Sequence, residues 1–271
     1  MSTNLPEIAA LAEHIAEENI SRGKVNLEKI IKKKGITIIS GNYGNYFVGE
    51  LIHKAKKFYI IVNQDMIDPT APGRLRFTIA HELGHYFIDD HRKLLKKGIS
   101  LSHNSDYNLN TKSTLEKEAN HFASNLLMPK ARFINTAKKF EPGLKAIIGL
   151  KQTFEASFES TAIHYLKQDL NLGIFIKWKM DQSFHYASYS PSFGKRVGIS
   201  GAPPIRFEKE YIENIFSELD ELRGKNDYIE NATTLSKWLA TISPSSKNDL
   251  IGLEQTIPLG NYGWMTFLAF A

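Results

Sequence analysis

Residues 76–86 read Arg76-Phe77-Thr78-Ile79-Ala80-His81-Glu82-Leu83-Gly84-His85-Tyr86, and within them His81-Glu82-Leu83-Gly84-His85 forms an H-E-x-x-H sequence. On a helix, positions four apart fall about 40° apart in projection and one turn apart in height, so both imidazoles can reach one metal ion. Glu82 then projects beside the pair. There it can take the proton of a water that attacks a carbonyl, a water whose pKa zinc lowers towards about 7. The competing reading is a surface helix that merely carries two histidines. Its flanks speak against that, because Phe77, Ile79, Ala80, Leu83, Tyr86, Phe87 and Ile88 leave little polar face, and so apolar a helix is largely buried. Two buried imidazoles and a buried carboxylate are costly without partners, and a metal site supplies partners to all three. Pro72 suits the first turn of this helix, which is expected to run to about Asp89.

Catalytic zinc sites carry three protein ligands and keep one position for water. The chain has no cysteine, so the third must be His, Asp or Glu. His91 lies six positions after His85, but a continuous helix would carry it about 9 Å along the axis and turn it away from the pair. It can ligate only if the helix breaks early, and Asp89 and Asp90 are weak helix formers. A second helix, expected from about Thr114 to Met128 and stopped by Pro129, offers Glu116. Its apolar arc is Leu115, Ala119, Phe122, Ala123, Leu126 and Leu127, and Glu116 falls about 60° from Ala119, between Ala123 and Leu127. Glu118 falls about 100° away on the other side, next to His121. A carboxylate in an apolar arc wants a cation, which favours Glu116. Ser113 and Glu116 also fit a capping box, Ser-x-x-Glu, which would use the same side chain to start the helix. Asn120, one turn beyond Glu116, can hydrogen-bond a ligand imidazole and fix its tautomer.

The rest of the chain sets bounds on these readings. At 271 residues it has room for one large domain or two ordinary ones, and 42% hydrophobic with 23% charged residues is a globular composition. The absence of cysteine excludes disulfides and thiol chemistry and suits a reducing compartment. Ile8, Leu11, Ala12, Ile15 and Ala16 give an amphipathic first helix, interrupted by Glu13, Glu17 and Glu18, unlike the apolar core of a signal peptide. With no apolar run near the ~20 residues of a membrane span, a cytoplasmic protein with no membrane partner is expected. Net charge is +5 and the pI about 9.1, from lysines clustered at 32–34, 54–57 and 93–97. Such a balance permits a nucleic-acid partner, although a solvated lysine-rich surface explains it as well.

Asn26 is expected to cap a short helix ended by Gly35. Residues 36–40, 46–52 and 58–62 read as strands, the last of which could offer an edge for an extended peptide. Residues 100–112 read as a polar loop. Residues 144–168 read as two helices with a turn near 155–157, and 174–180, 184–190 and 264–270 as aromatic-rich strands around a helix at 207–222. The change of character after Lys138, Lys139 and Pro142 places a domain boundary near residue 140. The expected fold class is α+β, with a metallopeptidase domain over 1–140 and a helical segment plus an α+β domain over 141–271.

The two blocks together, residues 76–86 and then Glu116-Lys117-Glu118-Ala119-Asn120-His121-Phe122-Ala123 with Leu126-Leu127-Met128-Pro129, resemble the ImmA/IrrE-type metallopeptidase family. The resemblance covers about residues 1–140. It implies a compact, gluzincin-like zincin domain holding one Zn2+ per chain, with Mn2+ as the other candidate ion. The family's ligands carry over to His81, His85 and Glu116, its general base to Glu82 and its outer hydrogen-bonding position to Asn120. Members cleave helix-turn-helix repressors in the cytoplasm and so switch on stress or mobile-element genes. Some continue into a helix-turn-helix-like segment and a GAF-like domain, which residues 144–168 and 171–271 could match by analogy of fold. The opposing reading is a regulator that binds nucleic acid or a small ligand and keeps a vestigial metal site. For DNA, Lys151 and Lys167 are the obvious phosphate contacts in 144–168, few for that role.

Overall fold

The computed structural model describes residues 4–69, 71–99, 114–221, 228–242 and 249–270. The expected loop at 100–112 and the capping position Ser113 lie outside the described residues. The described chain divides into two units, Met1–Asn135 with Leu150–Ser157 and Thr136–Gly149 with Phe158–Ala271.

Asparagines start the first two helices. Asn4 Oδ1 accepts from the Glu7 amide ahead of α1 (Leu5–Glu18), and Asn26 Oδ1 from the Lys29 amide ahead of α2 (Leu27–Lys34). Gly35 ends α2 at φ 65°, a left-handed conformation that costs glycine little. Between them β1 (Ile20–Ser21) pairs with β2 (Lys24–Val25). The strands β3 (Thr37–Gly41), β4 (Gly49–Lys54) and β5 (Lys57–Asn63) form a sheet in the order β3-β5-β4. β5 runs parallel to β3 and antiparallel to β4. The expectation that residues 58–62 could offer a peptide-binding edge is therefore wrong, because β5 is the middle strand and both its edges are taken. The edge strands are β3 and β4.

Helix α3 (Pro72–Phe87) carries the H-E-x-x-H sequence and stops two residues before the expected Asp89. Ile88 turns extended, at φ −72° and ψ 115°, and α4 (Asp89–Lys96) starts at once, with Asp89 and Asp90 in a first turn whose dipole favours negative charge. Then come α5 (Thr114–Leu127), α6 (Lys130–Ala137), α7 (Leu144–Phe154) and α8 (Phe158–Lys167). Helices α7 and α8 stand where two helices were expected, with Glu155 at φ 49° in the turn. Helix α8 buries every residue from Ser160 to Leu166, so it keeps no broad exposed face to lay in a DNA groove.

The second unit is built on β6 (Leu172–Trp178), β7 (Phe184–Tyr189), β8 (Ile229–Thr234), β9 (Ile251–Pro258) and β10 (Trp264–Phe270), in the order β7-β6-β10-β9-β8, every neighbouring pair antiparallel. Ile174, Ile176, Trp178, Trp264 and Leu268 of the sheet form one core with Phe193 of α9 (Pro191–Val197), Phe216 of α10 (Lys209–Glu221) and Trp238 of α11 (Leu235–Trp238). Strands β8 and β9 were not anticipated. Glu230 and Asn231 are poor strand formers, and β9 buries Glu254, Gln255 and Thr256 in succession, which hides the apolar alternation that marks a strand. The α+β class holds for the whole. Among the described residues no helix is long and apolar enough to cross a membrane.

Candidate metal centre

The site depends first on how closely α3 and α5 approach. A Cβ on Gly84 would lie 3.1 Å from Ala119 Cα and 3.3 Å from Phe122 Cβ, so glycine here, against the small Ala119, lets the helix backbones meet. That approach carries Glu116 to the histidines. Glu116 Oε2 lies 3.0 Å from His81 Nε2, and its Oε1 3.3 Å from His85 Nε2. The two Nε2 atoms are themselves 3.1 Å apart. One atom from each of the three side chains falls within 4.8 Å of the others, and all three residues are buried. Glu82, 3% exposed, sits beside them, and the Leu51 amide of edge strand β4 hydrogen-bonds it.

The outer nitrogens decide what this cluster can hold. His81 Nδ1 is 2.9 Å from Asn120 Oδ1, an amide oxygen that can only accept. His81 Nδ1 therefore carries the proton, and a neutral His81 turns a bare Nε2 inward. His85 turns Nε2 inward as well, while its Nδ1 lies 3.0 Å from His91 Nδ1. Two imidazole lone pairs and a carboxylate, buried and converging, repel one another unless a cation or a shared proton lies among them. Two nitrogens and an oxygen are the donor set that divalent zinc accepts. The residues present fit a metal ion, and His81, His85 and Glu116 could bind one.

Charge at the site follows from burial and contact. Burial raises the Glu82 carboxyl to about 7, outweighing the pull of His81. For Glu116 burial also works upward, but the close contacts with His81 and His85 outweigh it and hold the carboxyl well below the usual range. Burial lowers His85 to about 4, only partly offset by Glu116. Burial would lower His81 too, yet Glu116 and Glu82 reverse the sign and raise it. One proton between His81 and Glu116 balances the cluster, and a cation would take its place.

His91 and Glu118 fall where sequence reasoning did not put them. The helix does break early, the condition under which His91 could ligate, but His91 lands behind His85, on the side away from Glu116. Its ring is fully buried, burial lowers its pKa, and its Nε2 lies 2.8 Å from Glu118 Oε2. Glu118, expected on the far side beside His121, is instead 13% exposed at its side chain and bound to His91. The signal that could have found this pair was Ile88-Asp89-Asp90, which reads as a helix stop followed by a fresh acidic start.

This geometry, an H-E-x-x-H helix laid against a second helix that supplies a carboxylate, is that of a metallopeptidase-type centre on an α+β scaffold. Residues 33–164 match the family described as IrrE N-terminal-like domain (Peptidase M78). That match supports the ImmA/IrrE family over the segment, and the family suggests a zinc metallopeptidase. Among solved structures, a Mycobacterium tuberculosis transcriptional regulator superposes with a TM-score of 0.61 at 15% identity, covering 97% of this chain and 87% of that one. That likeness is one of fold. Among curated proteins none matches the chain.

Proposed function

We propose that the chain is a zinc-dependent endopeptidase that cuts a protein substrate, and that Glu82 is its general base. The observation that carries this reading is the convergence of three buried donor atoms within 4.8 Å, with a buried carboxylate beside them. In this assignment His81, His85 and Glu116 hold one Zn2+ (or Mn2+), and Asn120 holds the His81 tautomer. When bound, the ion supplies Lewis acidity and a water of lowered pKa. Glu82, whose carboxyl burial raises to about 7, takes the proton of the attacking water and passes it to the leaving amine. The edge of β4, tied to Glu82 through the Leu51 amide, lets a peptide lie extended beside the base. The reading also takes 1–140 as the peptidase domain and 141–271 as the part that recognises the substrate. A helix-turn-helix repressor in the cytoplasm is the proposed substrate, supported by the family and by the regulator whose fold the chain shares. A vestigial site would carry the cost of burying Glu82 with no return.

The test is incubation of the zinc-loaded protein with such a repressor, read by mass spectrometry of the fragments. Cleavage should stop with a chelator and fall by roughly 10²–10⁴-fold in Glu82→Gln, which keeps size and metal but cannot take a proton. A Glu82→Gln protein that cut at the parental rate would remove Glu82 from the role.

A further inference from the structure

Behind the candidate metal ligands runs a line of hydrogen bonds whose direction one carboxylate dictates. Glu118 Oε2 lies 2.8 Å from His91 Nε2, and His91 Nδ1 lies 3.0 Å from His85 Nδ1. An ionised carboxylate only accepts, so His91 Nε2 carries a proton. A neutral imidazole has a single N–H, so His91 Nδ1 is bare and must accept. The proton in the second bond therefore sits on His85 Nδ1, which leaves His85 Nε2 bare and facing His81 and Glu116. Without Glu118 the line can reverse. His91 could then donate from Nδ1, His85 would carry its proton on Nε2, and that tautomer cannot bind a metal.

We propose that His91 and Glu118 are positioning residues, a two-member relay that locks His85 in the tautomer able to ligate. The inference rests on the metallopeptidase reading above and adds to it what His85 needs. His81 meets the same need more simply, through Asn120. The difference follows from position. Asn120 stands on α5 one turn from Glu116 and reaches His81 directly, whereas Glu118 reaches His85 through His91, which the break at Ile88 swings in behind it. The ring of His91 is fully buried, so no water substitutes for it as acceptor.

The experiment uses the full chain, stripped of metal and titrated with zinc against a chromophoric chelator, with folding followed by circular dichroism and melting. Glu118→Leu, which fills the space without an acceptor, should weaken zinc binding by tenfold to a hundredfold, the usual range for such outer partners. Glu118→Gln keeps an acceptor oxygen and should recover most of that loss, which a packing role would not predict. His91→Phe should match Glu118→Leu, and the double variant should lose no more than either single one, since both act through His85. The visible bands of the cobalt(II)-substituted protein should shift in Glu118→Leu and return in Glu118→Gln. Folded variants that bind zinc within about twofold of the parent would overturn the relay. Should Glu118→Leu not fold, His91→Phe carries the same test with the same threshold. A parent chain that bound no zinc would sink the peptidase reading itself, whereas a zinc-binding parent with unaffected variants would sink the relay alone.

Discussion

Both units bury polar groups, and they do so in opposite ways. In the second unit every member of the polar cluster finds its complement. The Trp178 indole N–H donates to Thr266 Oγ1 at 2.9 Å, and Thr266 shares a hydroxyl hydrogen bond with Thr256 at 2.9 Å. Glu254, 1% exposed, accepts from Tyr211 O–H and, at 3.2 Å, from the Trp238 indole, which also reaches Thr233. Within this cluster donors meet acceptors. In the first unit acceptors meet acceptors, with two imidazole nitrogens and a carboxylate within 4.8 Å. The contrast shows how to tell a structural polar core from a working site. A cluster complete in itself stabilises the fold, whereas a cluster of converging acceptors could bind a metal ion.

The strongest way to break this contrast is to remove one acceptor from the first unit. Glu116→Ala should weaken zinc binding by at least about a hundredfold, more than loss of an outer partner, yet cost the metal-free fold little. The two histidines it leaves can share one proton between their Nε2 atoms, 3.1 Å apart. Metal titration and melting of the stripped protein check both halves. A large loss of stability without metal would mean that Glu116 acts structurally, and the contrast would fail.

The matching change in the second unit should invert that pattern. Glu254→Ala leaves the Tyr211 hydroxyl without its acceptor and a gap beside Trp238, so stability should fall by roughly 2–3 kcal/mol in denaturant unfolding. Zinc affinity should stay within about twofold of the parent. The smallest effect is expected from Trp178→Phe, which removes one donor while Thr266 keeps Thr256. About 1 kcal/mol of stability should be lost, again with metal binding unchanged.

The chain's own order of residues determined a good part of this. The spacing of His81 and His85, the apolar flanks that bury them, and the place of Glu116 inside the arc of α5 are all local. Helical periodicity alone puts these groups on chosen faces, because 3.6 residues per turn is a property of the backbone and not of its neighbours. The caps at Asn26 and Gly35 were legible for the same reason. What only tertiary structure decided was which faces meet. Glu118 looks solvent-facing until α4 swings His91 against it, and Gly84 looks like any glycine until α5 rests on it. β5 looks like an available edge until β3 and β4 take both its sides. β9 hides its nature because polar Glu254 and Thr256 are buried by partners on other elements, Tyr211 of α10 and Thr266 of β10. Periodicity ranks the faces of one element, but a hydrogen bond between two elements has no period. It exists only once packing has chosen the neighbours.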